Sequence, residues 1–393
     1  MSGNVINLKP RCDFVFINRS FWPNSPVVGE FLIDLAEKMS TEFSVAVIAQ
    51  VNPDFEHNLE QHNRGKQVSF NCIKRLTTSK SHIVLRVIES LVFMIFVFWK
   101  LLFLRPNSIY VGTDPPIVVP FIVSVYKLIF GGRIVYHIQD IHPEATSAIF
   151  NGQKLVFELA KILDNFALNS SNHIVTLTPI MAEVLKGRTN LKTPISILNN
   201  PGLQKEFVRQ KQINGFAFCG NAGRLQLIPL IVSAIDRYLS SGGRFEFTFA
   251  GSGICINSIQ SLALKYPDKV TYLGEISVQN AAEVIDSHKW ALLPINDKVT
   301  QFSFPSKASA YVHSRAKILA ICSSDTYVAK WVNDNDLGLS AQPNIDSIVN
   351  IFKDIENGYI PSFKSGRLAR NRLRMELNFN FYVDRIFQIL KNV

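Results

Sequence analysis

The sequence predicts an α/β protein of two tandem doubly wound domains, and three observations carry that expectation. Short β-branched and aromatic runs alternate with longer helical patterns along the whole chain, which is the mark of parallel βαβ units. The alternation is interrupted around Asn199–Gln212, where NNPGLQKEFVRQKQ is polar and turn-rich. The length, 393 residues, suits two domains of ordinary size. A crevice between two such domains is the default ligand site, because strand carboxyl ends and helix amino ends of both can face it.

In the first half the pattern predicts strands at Asp13–Ile17, Phe43–Ile48, Val68–Ile73, Ser108–Val111, Arg133–His137 and His173–Leu177. Helical periodicity falls between most of them, at Val28–Met39, Ile83–Leu104, Ile117–Phe130 and Lys154–Leu168. A second series opens with the strand FAFCG from Phe216 and a helix from Leu227 to Leu239. It runs on through FEFTFAG, a helix over Ile256–Leu264, VTYLG and a helix near Val278–Ser287. WALLP, a helix from Ser306 and KILAI follow, with further helical patterns beyond. The last segment, FNFYVDRIFQILKNV, is an amphipathic helix by the spacing of Phe381, Ile386, Ile389 and Leu390. The domain expectation is therefore 1–203, 204–375 and a terminal amphipathic helix over 376–393 that can cap either domain, crossing back to the first being one of the two arrangements.

At 47% hydrophobic and 18% charged residues the composition excludes a disordered chain, and 20 Gly with 18 Pro exclude a collagen-like one. Lys and Arg total 41 against 31 Asp and Glu, a net charge of +10, so the surface attracts phosphates of some kind. No basic–aromatic interleaving or known module points to nucleic acid. The five cysteines, at 12, 72, 219, 255 and 322, contain no C-x-x-C pair, which fits a reduced, cytoplasmic chain. The amino-terminal MSGNVINLKPR has no apolar core of a secretory signal.

The most apolar stretch, HIVLRVIESLVFMIFVFWKLLFLRP, carries Arg86, Glu89 and Lys100 and falls short of a comfortable membrane span. Its helix over 83–104 reads as interfacial, with Phe93, Phe96, Phe98, Trp99 and Phe103 at the acyl boundary and Arg86, Lys100 and Arg105 toward headgroups. The basic run from Lys74-Arg75 to Lys80 adds attraction to anionic lipid. A buried helix of an α/β domain has the same composition and stands as the alternative.

Three loops in the second half offer anion sites. Cys219-Gly220-Asn221-Ala222-Gly223-Arg224 follows a strand and precedes a helix, so its backbone N–H groups and the Arg224 guanidinium can face a phosphate. It matches neither G-x-G-x-x-G nor the Walker pattern. Gly251-Ser252-Gly253 is a second strand-terminal glycine loop, and Pro305-Ser306-Lys307 opens a helix with a lysine in its first turn. In the first half, Tyr136 to Glu144 brings two imidazoles and two carboxylates to a strand end. His137 reads as packed in the sheet, and Asp140, His142 and Glu144 as acid–base equipment. Asp334-Asn335-Asp336 is a D-x-D in a polar turn, and no metal is assigned to it.

In order and spacing these pieces resemble the family 4 GT-B glycosyltransferases, especially the branch that builds bacterial surface polysaccharides such as O-antigen and capsule. The resemblance covers nearly the whole chain. It rests on Phe21-Trp22-Pro23 with Gly29, TDPPIVVP, Asp140 to Glu144, GNAGR at 220–224, FAGSG at 249–253, and FPSK followed by AYV at 304–312.

The resemblance implies two Rossmann-like domains facing a central cleft. It implies retaining, metal-independent transfer of a sugar from a nucleoside diphosphate donor, UDP favoured, to a lipid-linked saccharide at the cytoplasmic face of the inner membrane. Asn221, Gly223, Arg224, Gly251, Gly253, Glu275, Ser306 and Lys307 are the implied donor contacts. Pro23 and Gly29 shape the acceptor side, with Asp140, His142 and Glu144 lining the chemistry. No cofactor is implied.

The chain departs from that pattern where the family often carries two glutamates, since Phe302 and Ala310 occupy those positions. Losing a carboxylate that grips ribose hydroxyls costs about 1–3 kcal/mol of donor binding unless His313 or Arg315 substitutes. His142 stands where the branch often has Trp. These departures keep open a catalytically weak relative that scaffolds polysaccharide assembly, and a nucleotide-sugar epimerase of the same fold.

Overall fold

In the computed structural model the chain divides into two compact units, Met1–Asn199 with Asn380–Val393, and Asn200–Phe379. The structure describes residues 11–25, 27–77, 81–147, 154–189, 191–202, 210–361, 363 and 366–393. The first ten residues, Lys80 and most of the polar join around 203–209 lie outside the described residues.

The first unit is built on strands β1 (Cys12–Ser20), β2 (Val45–Val51), β3 (Val68–Lys74), β4 (Pro106–Gly112), β5 (Arg133–Ile138), β6 (His173–Thr176) and β7 (Ile195–Ile197). They pair in parallel in the order β3-β2-β1-β4-β5-β6-β7. All seven residues of β2 are buried, as expected of a parallel strand covered on both faces. Helices α1 (Val28–Ser40), α2 (Phe55–Gln61), α3 (Ile83–Leu104), α4 (Val118–Phe130), α5 (Glu144–Ser147), α6 (Lys154–Ser170) and α7 (Pro179–Thr189) form the connections. The strand order reverses between β1 and β4, which parts the loops leaving those strands and opens a crevice at their carboxyl ends.

The second unit repeats the plan with β8 (Ile213–Cys219), β9 (Glu246–Ala250), β10 (Val270–Tyr272), β11 (His288–Pro294), β12 (Lys317–Ile321) and β13 (Gly338–Ala341), in the parallel order β10-β9-β8-β11-β12-β13. Its helices are α8 (Ile228–Ser240), α9 (Ile256–Lys265), α10 (Val278–Asp286), α11 (Ser306–His313), α12 (Tyr327–Asp334), α13 (Ile345–Asn357) and α14 (Gly366–Glu376). Aromatic rings fill one side of this sheet: Phe216 lies 4.8 Å from Phe352, 5.2 Å from Phe245 and 5.5 Å from Phe247 between ring centroids. The D-x-D serves the fold, since Asp334 ends α12 and the Asp336 carboxylate accepts the Gly366 N–H at 2.9 Å.

The last helix, α15 (Phe379–Asn392), packs in the first unit. Its buried Tyr382 hydroxyl lies 3.1 Å from His137 Nε2 and its ring 5.0 Å from Phe31, while Lys391 pairs with Glu42 at 2.8 Å. His137 is thus a packed residue of the sheet. It is held neutral because burial pushes its pKa down to about 3.

Helix α3 divides its faces between the two readings of its sequence. Phe93, Val97 and Leu101 are fully buried against the sheet, and the buried Glu89 carboxylate accepts the Leu76 and Thr77 N–H groups that leave β3. Phe93 therefore belongs to the core, contrary to its expected place at an acyl boundary. On the other face Val84, Leu85, Ile88, Ile95, Trp99 and Phe103 are exposed. Among the described residues this is the helix long and apolar enough to cross a membrane, yet one narrow face of it, at Glu89, Phe93, Val97 and Leu101, is built into the fold.

In the second unit α11 ends without a glycine, and arginines of α14 take over its free carbonyls. Arg370 donates to Tyr311 O at 3.1 Å, Ser314 O at 2.6 Å and Ala316 O at 2.9 Å, and Arg374 to Val312 O at 2.9 Å. Burial lowers Arg370 to about 10, which leaves it a full cation at neutral pH. Arg370→Ala leaves several buried carbonyls unpaired, and a loss of about 2–3 kcal/mol is expected. Calorimetry should show this as a fall in melting temperature of roughly 5–10 °C; a change under 1 °C would refute the capping role.

Candidate functional site

In the second unit the loops after β8, β9 and β10 interlock. Gly220 donates to Ala250 O at 2.8 Å, Ala222 to Ser252 O at 2.6 Å and Gly251 to Gly274 O at 2.7 Å. A Cβ on Gly251 would lie 2.1 Å from Gly220 O, and its φ of +123° is one that side chains rarely adopt, so the loops meet this closely only as glycine. Gly253 meets Ala222 in the same way, at 2.5 Å from its carbonyl oxygen. The sequence motifs GNAGR and FAGSG thus form one backbone surface at the carboxyl ends of β8 and β9, bordering the crevice where the strand order reverses between β8 and β11.

Lys307 reaches that surface from the first turn of α11. Its Cε would touch a Cβ on Gly220 at 2.5 Å, and its Nζ stands 4.2 Å over the Phe218 ring. Among the described residues the ammonium has no carboxylate or hydrogen-bond acceptor, and burial lowers it to about 8. A half-buried cation beside glycine loops, with no counter-ion among the described residues, is an incomplete arrangement that an anion completes. Asn221 and Arg224 are exposed in the same loop, and Gly223 is buried so close to Gln226 that a Cβ would lie 2.7 Å from its Oε1. Ser306 is exposed at the start of α11, with Pro305 before it, and Glu275 is exposed beside Gly274.

The two candidates to replace the missing carboxylates are engaged elsewhere. His313 is buried, 3.3 Å from Leu377 O, and Arg315 donates from Nε to Asp286 at 2.8 Å. Neither is free for a ligand, while Ala310 is exposed and Phe302 half-buried.

In the first unit the crevice at the β1–β4 reversal is a pocket of about 1160 Å³. Asn18, Thr113, Asp114, Gln139, Asp140 and His142 form its base at the ends of β1, β4 and β5. The Asp140 carboxylate stays open to water, but the concave wall crowds it and pushes its pKa up to about 6. Burial pushes His142 down to about 4, so it is a neutral imidazole with Nδ1 at 2.7 Å from the Thr146 hydroxyl. Ile117, which also lines the pocket, has φ +65°, a strained conformation for a β-branched residue.

Glu144 is placed differently from its two neighbours. Its carboxylate lies 3.5 Å from Arg188 Nη1, which also holds the buried Asp164 at 3.0 Å, and Asp164 accepts the Tyr136 hydroxyl at 2.8 Å. Arg188 further donates to His142 O at 3.1 Å, so Glu144 belongs to the network that fixes the loop. Pro23 follows Trp22 in the loop after β1, and Gly29 packs on that loop's backbone, where a Cβ would lie 2.5 Å from Trp22 N.

Asp114, Arg19 and Ser90 were not anticipated. Asp114 pairs with Arg19 at 2.7 Å and accepts the Ser20 N–H at 3.0 Å, and Arg19 donates to Ser90 at 3.0 Å. The signal was present in TDPP, a polar pair after a strand and before two prolines.

No family model matches the chain. Over 256 residues it is 22% identical to a probable glycosyltransferase, WbjE of Pseudomonas aeruginosa, and the match spans 61% of this chain and 63% of that protein. The structure is similar to sucrose-phosphate synthase of Thermosynechococcus elongatus, with a TM-score of 0.71 at 13% identity over 97% of this chain and 99% of that one. It is also similar to HepE of Anabaena in complex with UDP, with a TM-score of 0.63 at 13% identity over 97% and 100% of the two chains. With its two parallel α/β sheets, the chain has the GT-B fold of the glycosyltransferases.

Proposed function

We propose that the chain is a glycosyltransferase that moves a sugar, with retention, from a UDP-sugar to a lipid-linked saccharide in cell-surface polysaccharide synthesis. The observation that carries this reading is Lys307, a half-buried cation with no ion-pair partner among the described residues, set against interlocked glycine loops. In the reaction the bond from the anomeric carbon to the diphosphate oxygen breaks, and the diphosphate leaves with the electron pair. The acceptor hydroxyl forms the new bond, and its proton passes to the Asp140 carboxylate. Lys307, Arg224 and the amino end of α11 meet the charge that develops on the leaving group, so no metal is required by this reading. Asp140, ionised above about pH 6, accepts the hydrogen bond of the acceptor hydroxyl. UDP is favoured because the HepE structure holds it.

The exposed apolar face of α3, with Lys100 stacked 5.5 Å over Phe96, supports a peripheral place on the cytoplasmic face of the membrane. A second reading, a weakly active partner subunit, draws on Phe302 and Ala310 together with the prior engagement of His313 and Arg315. Slow hydrolysis of UDP-sugars by the purified chain favours the first reading, and binding without turnover favours the second.

Titration calorimetry with UDP, GDP and ADP should find UDP the tightest, and Lys307→Ala should weaken it at least tenfold. Lys307 is a cation below its pKa and neutral above it. UDP affinity is therefore expected to fall as pH rises through and beyond about 8, and Lys307→Arg should flatten that decline. Absence of binding by all three nucleotides would sink the donor assignment.

For transfer itself, kcat/KM should decline below about pH 6 as Asp140 protonates. Asp140→Asn should lower the rate by about 100-fold or more and abolish the acid limb; an unchanged limb would remove Asp140 from the reaction. On anionic liposomes, Ile95→Glu with Trp99→Glu should release the protein in flotation, and continued flotation would overturn the membrane reading.

A further inference from the structure

The pocket of the first unit has two kinds of wall. Its base is polar, made by strand ends that include Asn18, Gln139 and Asp140. Its sides are apolar: Val87 and Leu91 of α3 on one, Val156, Phe157, Leu159 and Leu163 of α6 on the other, with α4 packed against both helices. Val87, Leu91, Val156 and Leu159 line the pocket and are also 52%, 41%, 62% and 56% exposed, so the sides run out to the surface rather than closing. There Ile88 and Ile95 of α3 and Leu155 and Ile162 of α6 continue the apolar surface. A water-soluble sugar phosphate gains nothing from such a trough, whereas each methylene of a hydrocarbon chain does.

Charge is ordered along the same path. Of the pocket's arginines, Arg19 is committed to Asp114 at 2.7 Å and Ser90 at 3.0 Å. Arg86 also lines the pocket, beside Val87 on α3, and among the described residues its guanidinium has no partner. Lys154, exposed at the start of α6, also lines the pocket, and among the described residues the pocket carboxylate left without a cation, Asp140, belongs to the base. Arg86 therefore stands on the apolar side wall and Asp140 among the strand ends, which orients an amphiphile with its tail outward and its hydroxyls inward.

We propose that this pocket holds a lipid phosphate, with the phosphate at Arg86 and the hydrocarbon chain in the trough between α3 and α6. The inference rests on the lipid-linked acceptor reading above and adds the place where the lipid is gripped. A bilayer headgroup is the poorer occupant, because a concave pocket of about 1160 Å³ with a polar base has room for the saccharide as well.

The test uses the full chain with dodecyl phosphate, dodecanol and inorganic phosphate, each titrated by calorimetry, dodecyl phosphate below its micelle concentration and dodecanol below its solubility limit. Dodecyl phosphate is expected to bind more tightly than either other probe. Arg86→Ala should weaken it about tenfold while leaving dodecanol unchanged, and Arg86→Lys should restore part of the loss. Leu159→Glu, at an exposed position whose folding is checked by melting, should weaken both dodecyl probes. An alkyl phosphate with a terminal diazirine should label peptides covering 84–95 and 155–163. Equal binding of dodecyl phosphate and dodecanol, indifference to Arg86→Ala, or labelling elsewhere would overturn the proposal. UDP is titrated in parallel: failure of UDP alone would defeat the transferase reading and leave the lipid site standing, while the reverse pattern would defeat the lipid site only.

Discussion

Both units depend on one constraint, the reversal of strand order within an all-parallel sheet. Parallel strands covered on both faces leave only their ends for chemistry, and every loop at the carboxyl ends departs on the same edge. Where the order turns, between β1 and β4 and again between β8 and β11, neighbouring connections part and expose strand ends. In the first unit that edge carries Asn18, Asp114 and Asp140; in the second, the glycine loops of β8 and β9 and the Lys307 side chain. The site residues are therefore dispersed in sequence yet gathered on one edge of each unit's sheet.

The two edges hold opposite charges under similar strain. Lys307 is pushed toward neutrality from above and Asp140 from below, each by desolvation as the leading cause. Holding such groups costs stability, and the surrounding network shows how the cost is met. Around Asp140 the loop is tied by Arg188 to Asp164, Glu144 and the His142 carbonyl, while Lys307 rests on Phe218. A pre-organised charge of this kind is useful because little rearrangement remains when a partner arrives.

The alternation of strand and helix patterns was enough to place the larger strands of both sheets, because each is a short apolar run with its own punctuation. Most of the elements that escaped have little apolar content of their own; α7, with Met181, Ala182 and Leu185 buried, escaped because its apolar run is short and follows directly on β6. β7 is three residues long, α2 is a two-turn polar helix with Phe55 as its buried anchor, and β13 reads GLSA. The glycine loops were legible because glycine marks close approach, and Gly251 against Gly220 O has no alternative. Arg86 and Ser90 were not legible as pocket residues, because they acquire meaning only when α3 is brought to the edge where β4 ends, whereas Asp114 carried a signal in TDPP. Glu144 looked equivalent to Asp140, and only the placement of Arg188, 44 residues later, separates them.

Helix α11 shows how a departure from a family pattern is to be read. Its amino end keeps the proline, serine and lysine that an anion site needs, whereas its carboxyl end carries no acidic residue and closes on His313-Ser314-Arg315. If the site had simply decayed, the carbonyls at that end would be left to solvent or to loosened loops. Instead Arg370 and Arg374 fill them with several hydrogen bonds, and Arg315 is spent on Asp286. The end of the helix is held by guanidinium groups, so its orientation is enforced by those contacts while Lys307 at the other end stays fixed. A helix held this firmly keeps the Lys307 ammonium in one place beside the glycine loops, so an anion arriving there meets a charge that has little left to rearrange.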